Sequence, residues 1–76
     1  MTEAEARQWF VQVLMDRVRE DPYPSTTQLA MIEEALPREL VGDYLEMLMD
    51  KVSEDQFPSI PMLGRIKRLM GQLPQG

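Results

Sequence analysis

"EDPYPS" at residues 20–25 returns as "EDQFPS" at residues 54–59, thirty-four positions later. In both copies two acids close a helix. An aromatic residue then precedes proline, which forces it into an extended conformation. The serine that follows is a helix N-cap. The stretch therefore reads as helix exit, aromatic anchor, rigid extended step and new helix start.

Working outward, Thr2 and Glu5 form a capping box that starts a first helix over about 3–20. Phe10, Val11, Leu14 and Val18 recur at helical spacing, with Met15 at the edge of the stripe. Ser25 with Gln28 predicts a second capping box. The helix it opens, over about 26–36, carries Leu29, Ile32 and Leu36, with Met31 and Ala35 beside them. Pro37 either ends that helix or opens the next.

A third helix is predicted over about 38–53. Its Tyr44, Leu45, Leu48, Met49 and Val52 stand where Phe10, Val11, Leu14, Met15 and Val18 stood. A fourth, over about 60–71, places Leu63 and Ile66 at the positions of Leu29 and Ile32, and Leu69, Met70 and Leu73 continue its apolar side.

At this single offset residues 10–32 share ten identities with their counterparts, among them the run "LMDRV" at 14–18 against "LMDKV" at 48–52. A helical hairpin cannot bury its apolar stripes alone, whereas two copies can bury them together. The expectation is an all-α, compact four-helix domain spanning 1–76, made of two repeated helical hairpins (about 3–37 and 38–74) around a shared core. Tyr23 and Phe57 are expected to plug its two ends. The period also fits tetratricopeptide repeats. Those need small residues where their helices cross, and here Val13, Arg17 and Met47 fill such places.

Composition narrows the chemistry. The chain has 13 acids against 8 bases, a net charge of −5, with no cysteine and no histidine. That removes disulfides, thiolate metal sites and the commonest general base. The acidic, amphipathic start does not resemble a secretory signal. No apolar run approaches the roughly 20 residues a membrane span needs. A cytoplasmic protein without membrane contact is expected.

The acidic corners invite a calcium reading. An EF-hand loop needs glycine at its sixth position and glutamate at its twelfth, where "DKVSEDQFPSIP" at 50–61 has Asp55 and Pro61. The first copy fails at the same two places, so neither metal nor cofactor is expected. No glycine-rich phosphate loop is present, and neighbouring acids such as Glu33 and Glu34 do not converge on a helix. A non-enzymatic role follows.

Trp9 lies off the shared stripe, and its counterpart is Asp43. It either completes a small core, covered by a segment such as the one holding Leu73, or stays exposed as a contact surface, a role for which tryptophan is favoured. Val13 and its counterpart Met47 share that flank. Six methionines besides the first suit irregular cores or adaptable surfaces. The expected contact surface is Trp9 and Val13 with Met47 or Met49, and the partner is another protein or a second copy of the chain. Such a copy could also serve simply to complete the core.

Arg65, Lys67 and Arg68 make residues 64–76 basic and free of acids. They carry the alternative of a DNA-associated, helix-turn-helix-like regulator. The equivalent stretch 30–38 holds Glu33 and Glu34, which repel phosphate, and basic residues near a helix C-terminus complement its dipole without any ligand.

Tyr23, Pro24, Leu29, Ile32, Ile66, Leu73 and Pro74 mark an order of Tyr-Pro, apolar helix, charged connection, second apolar helix and Ile-containing helix ending in Leu-Pro. In this the chain resembles a small all-helical family of actinobacteria of unknown function. The duplication and the second "FPS" step are not features of that family. The resemblance implies a helical fold and no particular activity.

Overall fold

The computed structural model describes residues 1–22, 24–54 and 60–74. These residues hold four α-helices, α1 (Glu3–Glu20), α2 (Thr26–Ala35), α3 (Val41–Glu54) and α4 (Ile60–Met70), and a 3-10 turn at Arg38–Leu40. No strand occurs among the described residues. The chain divides into two units, Met1–Arg38 and Glu39–Gly76. In the first, α1 packs on α2; in the second, α3 packs on α4.

Local chemistry sets the helix ends. Glu5 N–H donates to Thr2 Oγ1 and Thr2 N–H donates to Glu5 Oε1, both at 3.1 Å, closing the capping box of α1. Asp21 precedes Pro22 and takes an extended backbone, and its N–H donates to the Arg17 and Val18 carbonyls. Ser25 Oγ accepts from Gln28 N–H at 3.1 Å to start α2. The reciprocal arm expected from Gln28 is not made: its Oε1 is buried with no hydrogen-bond partner. Leu36, ahead of Pro37, is extended and ends α2 at Ala35. Thus Pro37 lies between helices, and the 3-10 turn after it leads into α3. The corner residues Tyr23, Phe57, Pro58 and Ser59 lie outside the described residues, and with them the expected aromatic plugs.

Burial departs from the expected stripes in a consistent way. On α1 the buried residues are Val11, Met15 and Val18, so Met15 is central and Phe10 and Leu14 are half-buried flanks. On α2 Leu29 and Ile32 are buried and Met31 is exposed. The buried arc of α3 runs through Val41, Tyr44, Leu45, Met47 and Leu48, with Val52 half-buried. On α4 only Leu69 is fully buried; Met62 and Ile66 are half-buried and Leu63 and Met70 are exposed. Each fully buried Val, Leu, Ile or Met side chain contributes about 1.5–3 kcal/mol relative to exposure. No polar or charged residue is buried among the described residues.

Candidate functional site

Two outward helix faces stand out, one in each unit. The first is on α1. At 3.6 residues per turn Trp9 points roughly opposite Val11 and Val18, and 63% of it is exposed. Val13, one turn on, is half-buried. The charged residues nearest Trp9 around the helix are acidic: Glu5, Asp16 and Glu20, all exposed. Asp16 Oδ1 accepts from Arg19 Nη1 at 3.0 Å, and on the far side Glu3 Oε1 accepts from Arg7 Nη2 at 3.0 Å. Exposed pairs of this kind contribute a few tenths of a kcal/mol. The Asp16 pair places the Arg19 guanidinium at the edge of the Trp9 face.

The expected methionines divide. Met47 is 3% exposed and presents no surface to a partner, whereas Met49, at the other edge of the buried arc of α3, is open to solvent. Trp9 and Val13 belong to the first unit and Met49 to the second.

The second face is on α4. Its inner side holds Leu69, with Met62, Arg65 and Ile66 half-buried. The outer side carries Ile60, Leu63, Lys67 and Met70, all exposed, at spacings of three and four residues. Ile60 is 77% and Met70 59% exposed. This outward apolar stripe was not anticipated. The signal for it is an eleven-residue helix with apolar residues on two sides, only one of which can pack on α3.

The three bases of α4 do not form one face. Arg65 and Lys67 project from nearly opposite sides of the helix, and Arg68, three residues after Arg65, lies nearer Arg65 than Lys67. Arg65 is half-buried; Lys67 and Arg68 are exposed and lie in the last turn, where they complement the dipole. Among the described residues no group of three or more His, Cys, Asp or Glu side chains is placed to hold a metal ion. No helix among the described residues is long and apolar enough to cross a membrane.

No protein-family model, curated protein or solved structure matches the chain.

Proposed function

We propose that this is a small, acidic, non-catalytic protein-interaction or regulatory module of the cytoplasm, whose contact surface is centred on Trp9. The observation that carries the reading is the exposure of the single tryptophan on a helix face whose neighbours are acidic. A large aromatic left in water by a chain this small forgoes one of the best core residues it has. Tryptophan is also enriched where binding energy concentrates. Val13 extends the surface on α1, and Met49 is a further apolar contact offered by α3. The lack of histidine and cysteine supports a role without catalysis.

The two hairpins are best understood as copies of one unit. Support comes from the ten sequence identities at a single thirty-four-residue offset. The DNA-associated alternative has less support, because Lys67 lies well away from Arg65 and Arg68 around α4 and Arg65 is half-buried, which leaves few bases to converge on phosphates.

The test is affinity capture with wild-type and Trp9→Ala baits, with and without nuclease. A protein held by the wild type, resistant to nuclease and lost with Trp9→Ala supports the module. Capture that is insensitive to Trp9 but vanishes with nuclease overturns it in favour of nucleic acid.

A further inference from the structure

We propose that the outward stripe of α4 is the docking surface for the Trp9 face of α1 in a second copy of this chain. The inference rests on the interaction-module reading and names its partner.

The two faces are complementary in character and in charge. The α4 stripe is apolar at Ile60, Leu63 and Met70, with one cation, Lys67, set within it, and α4 contains no acid. On α1, Trp9 stands among Glu5, Asp16 and Glu20; Asp16 is paired with Arg19 at the edge of that side, and the acids remain in excess there. Each face thus offers what the other lacks. Apolar side chains meet an aromatic, and a lone cation meets carboxylates, which favours this pairing over like-charged ones.

The spacing agrees. Trp9 and Asp16 are seven residues apart, as are Ile60 and Lys67. Seven residues are two turns, about 10.5 Å along either axis. With the helices parallel, Trp9 beside Ile60 and Leu63 brings Asp16 beside Lys67, with Glu20 in the next turn. A symmetric contact of α4 with its own copy offers Lys67 no carboxylate, since α4 contains no acid. An anionic bilayer or a duplex meets the same stripe through one cation, against a net charge of −5. A contact three turns long lies below standard interface size, so the association is weak and concentration-dependent.

Sedimentation velocity of the whole chain over a concentration series tests this. The set comprises wild type, Asp16→Lys, Lys67→Glu and the double swap, with helical content checked by circular dichroism. Both positions are exposed, so folding is expected to survive. Wild type associates, each single reversal weakens association about tenfold, and the double swap restores it. A wild type that stays monomeric throughout overturns the pairing, as does a double swap no better than the singles. Binding of Lys67-dependent anionic vesicles or duplex DNA by a monomeric wild type gives the stripe to another occupant and also overturns it. A monomeric wild type that still captures a foreign protein through Trp9 sinks self-pairing alone. Loss of Trp9-dependent capture sinks the module reading as well.

Discussion

Met15 and Met49 occupy the same place in the nearly identical runs "LMDRV" and "LMDKV", yet Met15 has no exposed surface and Met49 is 53% exposed. Equal sequence does not give equal burial here. The first hairpin buries the flank of its long helix that carries Met15. The second buries the opposite flank, through Met47.

The two methionines should therefore respond differently to truncation. Met15→Ala removes a fully buried side chain and is expected to cost about 2–5 kcal/mol. Met49→Ala is expected to stay within about 0.5 kcal/mol of wild type. Urea unfolding of the two variants checks this. Equal losses would mean that Met49 is buried in solution.

Gln28 leaves its side-chain Oε1 buried without a partner. An unsatisfied buried acceptor costs about 1–3 kcal/mol. Its counterpart thirty-four residues on is Met62, half-buried on α4. Gln28→Met keeps the backbone bond to Ser25 and removes the orphaned oxygen. It is expected to raise the melting temperature by about 4–8 °C for each kcal/mol gained. A lower melting temperature would show that the amide is satisfied in solution.

Gly64 sits inside α4, where a Cβ would meet nothing within 4 Å. Its counterpart is Ala30. Gly64→Ala is expected to stabilise the helix by about 0.5–1 kcal/mol by restricting the unfolded chain. Thermal unfolding measures the gain, and a loss would indicate a close approach to Gly64 in solution.

Helix positions were readable because their signals are local. Thr2 with Glu5, Ser25, Pro22 and Pro37 place caps and stops within a residue or two of the observed ends. The choice of buried face was less readable. On α1, Phe10, Val11, Leu14, Met15 and Val18 span a wide apolar arc, and periodicity alone does not say that its centre is Met15. On α4, Met62, Ile66 and Leu69 make one apolar side, and Ile60, Leu63 and Met70 make another. Packing on α3 selects the first, and only tertiary contact carries that information. The same limit applies to Trp9, whose distance from the stripe was evident while its exposure was not.

Trp9 is the chain's single tryptophan, so its fluorescence reports the proposed contact surface without interference. The decisive measurement is quenching of that fluorescence by a neutral solute, first in dilute protein and then with rising concentration or added partner. A contact surface open in the free protein gives near-complete access at dilution and progressive protection as the face is covered. Protection that is already full in dilute, monomeric protein would place Trp9 in the core and contradict the proposed surface.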